Sequence, residues 1–213
     1  AGLSTSRLDG LSGQQMSALT ARQLAALTAE QFASLDGVQA LGISPVQIKL
    51  LSAADFAKVT TEQVHSFSAA QIGAINAGGL STLTPDEIAG LSAAQIKGLT
   101  PAQIKAMSVE QLTVFTAEQF AAFSAPQIGA FSPAALGALP PERIAGLSGA
   151  QIRGLTGPQI AGLDATHLAA LRPEQIGALS WAQTGAISPT QLAAFTTGQI
   201  GGLSAAQVSG LTG

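Results

Sequence analysis

An eight-residue phrase repeats along the chain without a break, and this period limits what the sequence can fold into more than any other feature. The stretch TPAQIKAMSVEQLTVFTAEQFAAFSAPQIGAF, residues 100–131, contains four copies of it. In one frame, 26 octads run from Ser4 to Leu211 with no insertion or deletion. Such constant phase requires each octad to repeat the local structure of its neighbours and to stack on them.

Positions 1 and 4 of the octad carry a helix-start signal. Position 1 is Ser, Thr, Asp or Asn in 24 octads, and position 4 is Gln in 19. A hydroxyl followed three residues later by Gln is the pattern of a capping box, in which each side chain bonds the backbone N–H of the other residue. We therefore predict a helix start in every octad. Capping boxes are predicted at Thr20 with Gln23, Thr28 with Gln31, Thr100 with Gln103, and Thr116 with Gln119.

Positions 5 and 8 are the predicted core. Position 8 is a large apolar residue in all 26 octads, and position 5 is one in 24, failing only at Ala40 and Thr184. Position 7 is almost always small, which we expect to allow close approach of neighbouring backbones. The predicted core includes Leu27, Ile72, Ile96, Leu99, Ile104, Phe115, Phe123, Ile152, Leu155, Ile176 and Leu179.

The prolines test this helix frame independently. Seven of the ten lie at position 2, the first helical residue, and none lies at positions 4 to 8. Proline is tolerated in the first turn of a helix and breaks its interior. One continuous helix or coiled coil is disfavoured, because eight residues advance about 800° and the apolar columns would drift by roughly 80° per octad. A β-solenoid is disfavoured because the octad lacks strict alternation.

We predict an all-α fold: a single solenoid over residues 1–213, built as a superhelix of very short capped helices, one for each of the 26 repeats. Burial of two apolar side chains contributes about 3–6 kcal/mol per octad. Ordering eight backbone units costs about 8–16 kcal/mol. One octad is therefore unstable alone and depends on its neighbours.

Composition argues against several classes of function. The chain has no Cys, a net charge of −3 and no apolar run long enough to span a membrane, so we expect no thiol chemistry, no nucleic-acid binding and no membrane insertion. His65 and His167 lack an evident catalytic or ligand partner, and Asp86 with Glu87 falls at a helix start. No catalytic, cofactor or metal site is predicted. Trp181 lies at position 2, where its ring is expected to project outward unless covered, and it is either an interaction anchor or locally packed.

The phrases LTPAQIKAM and LTARQLAALTAEQFASL resemble the Leu-Thr-x-x-Gln-Ile-x-x-Leu octapeptide arrays of very long, mostly proteobacterial proteins, which are described as secreted or surface-associated and adhesin-like or haemolysin-like. The resemblance covers essentially the whole chain and implies an extracellular or cell-surface location and a structural or adhesive role. It implies no functional residues. We also expect a piece of a longer repetitive chain. Three octads depart from the pattern: NAGGLSTL, DGVQALGI and PPERIAGL.

These observations lead to the prediction of a non-enzymatic structural repeat module, acting as a rod, spacer or scaffold of a bacterial extracellular or cell-surface protein. Its expected partners are neighbouring repeats of the same or identical chains. Two alternatives stay open. One is a self-assembling filament or matrix subunit, and the other is an adhesin segment that binds a glycan or a protein.

Overall fold

The structure, a computed structural model, describes residues 5–211, with side chains from Arg7 onward; Ser4, the first predicted N-cap, lies outside this range. Within it, every octad forms one α-helix of four to six residues, and there is no strand. The helices are α1 (Thr5–Leu8), α2 (Gly13–Ala18), α3 (Ala21–Ala25), α4 (Ala29–Ala33), α5 (Gly37–Gly42), α6 (Pro45–Leu50), α7 (Ala53–Phe56), α8 (Thr61–Ser66), α9 (Ala69–Ala74), α10 (Ala77–Thr82), α11 (Pro85–Ala89), α12 (Ala93–Gly98), α13 (Pro101–Ala106), α14 (Val109–Thr113), α15 (Ala117–Ala122), α16 (Ala125–Ile128), α17 (Pro133–Gly137), α18 (Pro141–Ala145), α19 (Gly149–Gly154), α20 (Gly157–Gly162), α21 (Ala165–Ala169), α22 (Pro173–Gly177), α23 (Trp181–Thr184), α24 (Pro189–Leu192), α25 (Thr197–Gly201) and α26 (Ala205–Gly210).

Two extended residues separate each six-residue helix from the helix that follows it. In α13, the N-cap Thr100 has φ −82° and ψ 152°, and the C-cap Met107 has φ −72° and ψ 147°. The N–H of Met107 donates to the carbonyl of Ile104, which closes the helix with a tight last turn. In these helices position 8 is the C-cap and position 1 is the N-cap of the next helix, whereas the C-cap of a shorter helix lies earlier in the octad, as Ala26 does after α3. No residue in the described range has a positive φ, so the chain changes direction without glycine turns.

Within each unit, helices pack against the helix three octads away rather than against the next one along the chain. The pairs α2 with α5, α9 with α12, α16 with α19, and α23 with α26 show this spacing. The predicted all-α solenoid of short capped helices is confirmed. The contacts divide the chain into two compact units, Ala1–Val114 and Phe115–Gly213, and the same spacing holds within each. One continuous solenoid over all 213 residues stays a prediction.

Small residues allow the packed helices to approach at the backbone. A Cβ placed on Gly73 at position 6 would lie 2.6 Å from the carbonyl oxygen of Gly98, three octads later. A Cβ on Gly98, at position 7, would overlap the backbone of Ala69. In the second unit Gly129 stands in the same relation to Gly154. Small side chains at positions 6 and 7 thus bring every third helix into backbone contact.

The apolar columns fill the interior of each unit. All eleven core residues named from the sequence are buried, with at most 7% of their surface exposed. In the second unit, Phe115, Phe120, Phe123 and Phe131 form a cluster with ring centroids 5.0–5.6 Å apart. Most of these ring pairs are edge-to-face, an arrangement favoured by the aromatic quadrupole.

The three octads that depart from the repeat pattern keep its helix. They correspond to α10, α5 and α18, and each forms in phase with its neighbours. Helix α18 begins after Pro140, which has no side-chain hydrogen bond to offer as an N-cap. Its first helical residue is Pro141, whose fixed φ suits the first turn of a helix and compensates in part for the missing cap.

Candidate functional site

The four capping boxes named from the sequence are formed at the predicted residues. At α13, the Thr100 N–H donates to Gln103 Oε1 over 2.7 Å, and the Gln103 N–H donates to Thr100 Oγ1 over 3.2 Å. The N–H to Oε1 distance at the other three boxes is 2.7–2.8 Å. The remaining boxes join Thr20 to Gln23, Thr28 to Gln31, and Thr116 to Gln119.

The position-4 glutamine also has a second role, which the capping-box pattern does not predict. Gln103 Nε2 donates to the carbonyl oxygens of Ile72 and Ile75, over 2.7 Å and 2.8 Å. These carbonyls belong to positions 5 and 8 of the octad four units earlier. Its amide thus caps its own helix through Oε1 and bonds the end of an earlier helix through Nε2. We term this pair of roles a glutamine bridge.

Glutamine bridges recur through both units at a separation of 28 residues between the glutamine and the position-8 carbonyl. A superhelical turn therefore takes between three and four octads, since helices pack three octads apart and bridges span four. The bridging side chains are almost fully buried, and no buried side-chain N or O atom among the described residues lacks a partner. The bridges come from Gln39, Gln47, Gln63, Gln71, Gln95, Gln103, Gln111, Gln151, Gln159, Gln175, Gln183, Gln191, Gln199 and Gln207.

Where position 4 is aspartate, a lysine in the same octad supplies the missing donor. Asp55 accepts the N–H of its own N-cap, Ser52, but a carboxylate cannot donate. Lys58 Nζ lies 3.0 Å from Asp55 Oδ1 and donates over 3.0 Å to the carbonyl of Leu27. Burial raises the pKa of Asp55, but hydrogen bonds from Ser52 and the ammonium of Lys58 outweigh it, so the pKa lies below its usual value. The two side chains together reproduce the bridge.

Two further substitutions are compensated by other side chains. At α10, where position 4 is Gly79, the N-cap Asn76 donates from Nδ2 to the carbonyl of Leu51 over 2.6 Å. The space that a glutamine would occupy is filled by the ring of Phe56. At α18, position 4 is Arg143, and its guanidinium donates to the carbonyl of Phe115, 28 residues earlier.

His167 replaces the position-4 glutamine at α21, and here the structure adds a partner that sequence reasoning missed. The ring is buried, with Nε2 2.7 Å from the carbonyl oxygen of Leu139 and Nδ1 2.8 Å from Oδ1 of the N-cap Asp164. Both ring nitrogens face oxygen acceptors. Hydrogen bonds from the backbone N–H and the ring of His167 hold the pKa of Asp164 below its usual value. This His–Asp pair occupies the place of a bridge within the helix stack.

The other residues considered for chemistry are exposed or take part in contacts with the backbone. His65 is exposed, with Nε2 3.2 Å from the carbonyl oxygen of Glu87. Glu87 caps its own helix by accepting the Thr84 N–H over 2.7 Å. Trp181 is 67% exposed at the first residue of α23. Among the described residues, no group of three or more His, Cys, Asp or Glu side chains is placed to hold a metal ion.

One part of the outer surface is more apolar than the rest. It comprises four side chains of α5 and α6, each more than half exposed. The outward positions of most other octads carry small or polar residues. The members of this patch are Val38, Leu41, Val46 and Leu50.

The donor role of glutamine had a signal in the sequence. A capping box accepts Glu or Gln at position 4, yet Glu occurs there once, as Glu87, against 19 glutamines. The preference for the residue that both accepts and donates indicates that a donor is needed. No protein-family model and no curated protein matches the chain. None of the helices in residues 5–211 has the length and apolar character to cross a membrane.

Proposed function

We propose that this chain is a non-enzymatic structural repeat module, serving as a spacer or scaffold in a bacterial extracellular or cell-surface protein. The observation that carries the proposal is the use of the polar side chains. The buried glutamine amides are occupied by their own helix cap and by carbonyls of an earlier octad. Groups that could bind a ligand are thereby used to join one superhelical turn to the next.

The compensated octads support the same proposal. Asp55 with Lys58, Asn76, Arg143 and His167 differ in size and charge, but each donates to a backbone carbonyl in place of glutamine or holds the donor that does so. A binding site would need a particular constellation at one place. Interchangeable donors at one repeat position suit a role in which the connection between turns is what matters. The extracellular or cell-surface location rests on the resemblance to octapeptide arrays alone.

Excision of repeats tests the proposal, because a spacer's length is set by its number of units. Removal of residues 148–155, one whole octad, should leave the helical circular dichroism per residue unchanged, since each bridging glutamine after the excision still meets an octad four units earlier. Removal of residues 148–151 should disrupt folding on the C-terminal side, because four residues change the phase. Small-angle X-ray scattering on chains lacking one, two and four octads should show equal decrements in maximum dimension. Unequal decrements, or equal damage by the two excisions, would refute the role.

An adhesin segment that binds a glycan is the second candidate, and one observation favours it. Trp181 is a large aromatic side chain with two thirds of its surface exposed. Exposed aromatic rings offer apolar contact area to a partner. A glycan array probed with the wild-type chain and with Trp181→Ala tests this role. Binding that the substitution abolishes would support it, and equal signals or no signal would exclude this site.

A further inference from the structure

The charged side chains of the first unit, Ala1–Val114, are separated between different rows of helices. Helices three octads apart pack into the rows α2–α5–α8–α11–α14 and α3–α6–α9–α12. The octads of the first row contain five carboxylates and no Lys or Arg, whereas those of the second contain three bases and no carboxylate. We term the exposed side chains of Asp36, Glu62, Asp86 and Glu110 the acidic face, and those of Arg22, Lys49 and Lys97 the basic face.

Both faces are without charged partners in the described part of the chain. The ion pairs that the structure contains there, Lys58 with Asp55 and His167 with Asp164, involve none of these seven side chains. Helices α5, α6 and α8 are packed on both sides by helices of their own row, so the exposure of their outer residues does not arise from the ends of the chain. Two surfaces of opposite charge therefore remain available for a partner.

Each row also carries two large apolar side chains on its outer surface. Val46 and Leu50 of α6 lie three and one residues from Lys49 in the row of the basic face, and Val38 and Leu41 of α5 lie in the row of the acidic face. All four apolar side chains are 53–70% exposed. They are four of the five large apolar residues that the whole chain has at octad positions 3, 6 and 7. An apolar patch of this kind, rimmed by polar groups, is typical of a protein–protein contact.

The two faces match each other in spacing. Lys49 and Lys97 occupy position 6 of octads six units apart, and Glu62 and Glu110 occupy position 3 of octads six units apart, so both pairs are 48 residues apart. Two parallel copies lying side by side, with α6 of one against α5 of the other, bring their apolar side chains together. The same register places α9 against α8 and α12 against α11. Each lysine then lies near the glutamate one helix further along the opposite row.

We propose that the chain associates laterally and in parallel with a second copy of itself, through the basic face of one copy and the acidic face of the other. Opposite charges orient the encounter, and apolar burial between α6 and α5 adds affinity. An antiparallel copy that paired the same lysines and glutamates would place α6 opposite α11 to α14 and separate the apolar side chains. The contact joins two different faces, so further copies add until a ring closes. This inference rests on the proposed structural role and names its partner.

Charge reversal tests the contact by sedimentation velocity from low micromolar to near-millimolar concentration. We expect wild type to form dimers and larger species at low salt, and to dissociate as salt is raised, because exposed charges are then screened. One variant is Lys49→Glu with Lys97→Glu, and the other is Glu62→Lys with Glu110→Lys. Each places like charges across the contact and should associate about tenfold or more weakly.

Matched controls make the same changes of net charge outside the two faces. Lys105→Glu with Arg153→Glu reverses two exposed bases that also occupy octad position 6. Glu30→Lys with Glu174→Lys reverses two exposed acids that also occupy position 3. Both controls should associate as wild type does.

The apolar part of the contact is tested by Val46→Ser with Leu50→Ser, which leaves every charge in place. This variant should also associate about tenfold or more weakly, because apolar burial is lost. Association equal to that of wild type would refute the register in which α6 meets α5.

Mixing the two charge-reversed variants tests the pairing of the faces. Every contact between unlike variants again joins opposite charges, so an equimolar mixture should associate as wild type does, although each variant alone associates weakly. A wild-type chain that stays monomeric, a reversed variant that associates as wild type does, controls that weaken association equally, or a mixture that stays monomeric would overturn the lateral contact. Circular dichroism and the octad excisions report on the structural role separately. A well-folded monomer that tolerates whole-octad excision would refute the contact and leave the proposed function standing.

Discussion

Replacement of Gln103 by Glu separates the two roles of the bridging glutamine, because it changes one amide nitrogen into an oxygen and little else. The capping contact is expected to survive, since Glu87 makes it natively, accepting the Thr84 N–H over 2.7 Å. The bonds to the carbonyls of Ile72 and Ile75 are expected to fail, because a carboxylate oxygen would face two acceptors.

The size of the expected loss of stability in Gln103→Glu follows from the burial of this side chain. The Gln103 side chain belongs to a residue that is only 5% exposed. Two lost hydrogen bonds contribute about 1–3 kcal/mol in total. Leaving a buried charge without its partner brings the destabilisation to about 3–5 kcal/mol. For a chain of this size, each kcal/mol lowers Tm by about 2–4 °C. We therefore expect the Tm of Gln103→Glu to fall by roughly 10 °C in a thermal melt followed by circular dichroism.

Acidification gives the experiment an internal check. Burial among carbonyls raises the pKa of the introduced carboxyl above its unfolded value of about 4.3. The folded variant then binds its proton more tightly than the unfolded chain does. The loss of stability relative to wild type is therefore smallest below the unfolded pKa and grows as pH rises through the folded pKa. Protonated, the carboxyl can donate one of the two lost bonds. The Tm difference from wild type should be smaller at acidic pH than at neutral pH.

The control is Gln15→Glu, where the same change is made at an exposed glutamine with no intramolecular bridge. Its Tm, measured at low concentration, should stay close to wild type. If Gln103→Glu melts as wild type does, or if both substitutions lower Tm equally, the bridge contributes nothing beyond the capping box.

Three further predictions test other parts of the stack. Gly98→Ala places a methyl group into the backbone of the helix three octads earlier and should lower stability by about 1–3 kcal/mol. Gly201→Ala, with open space around it, should be neutral or stabilising by up to about 1 kcal/mol; chemical denaturation compares the two. Lys58→Met leaves a backbone carbonyl and Asp55 without their charged donor and should lower stability by about 1–3 kcal/mol, which adding Asp55→Gln should restore. The pKa of Asp164 lies below 3.8 in the folded chain, so the stability that its carboxylate contributes as a helix cap is present above that pH and is lost as pH falls through the folded pKa. Unfolding measured at a series of acidic pH values should therefore show that Asp164→Asn loses less stability on acidification than wild type does.

The local structure could be predicted from the sequence because short-range chemistry decides it. The spacing from Thr100 to Gln103 determines where a helix starts, and a proline such as Pro101 is compatible only with its first turn. Both signals lie within a few residues of the structure that they specify. The apolar columns added which faces are buried. The helices, their caps and the core could therefore be predicted from the sequence.

The partner of each octad could not be predicted in the same way. Which helices meet depends on the direction in which the chain leaves each helix, and this is set by the extended backbone at positions 8 and 1. Small changes in those angles, summed over several octads, alter the number of octads per turn. The partners of Gln103, which lie 28 and 31 residues earlier, were therefore not accessible from spacing alone.

The exceptions at position 4 show why single residues were also missed. At Asp55, Gly79 and His167 the glutamine is replaced, and the effect becomes clear only from the residues that the replacement or its neighbour contacts. The role of Lys58 is evident only from its bonds to Asp55 in the same octad and to the carbonyl of Leu27, 31 residues earlier. The role of His167 is likewise evident only from its contacts with Asp164 and with the carbonyl of Leu139. Sequence columns treat these octads as defects, whereas the structure shows that they keep the connection between turns.

The most direct test of the glutamine bridge is hydrogen exchange of the glutamine side-chain NH₂ groups, followed by nuclear magnetic resonance. Bridging side chains such as Gln95, Gln103 and Gln159 should exchange slowly, because their hydrogens are buried and bonded to carbonyls. Exposed Gln14 and Gln15 should exchange at the rate of a free amide in dilute solution. Slow exchange confined to the bridging set is the predicted result. Free-amide rates at all glutamines in a folded chain would contradict it.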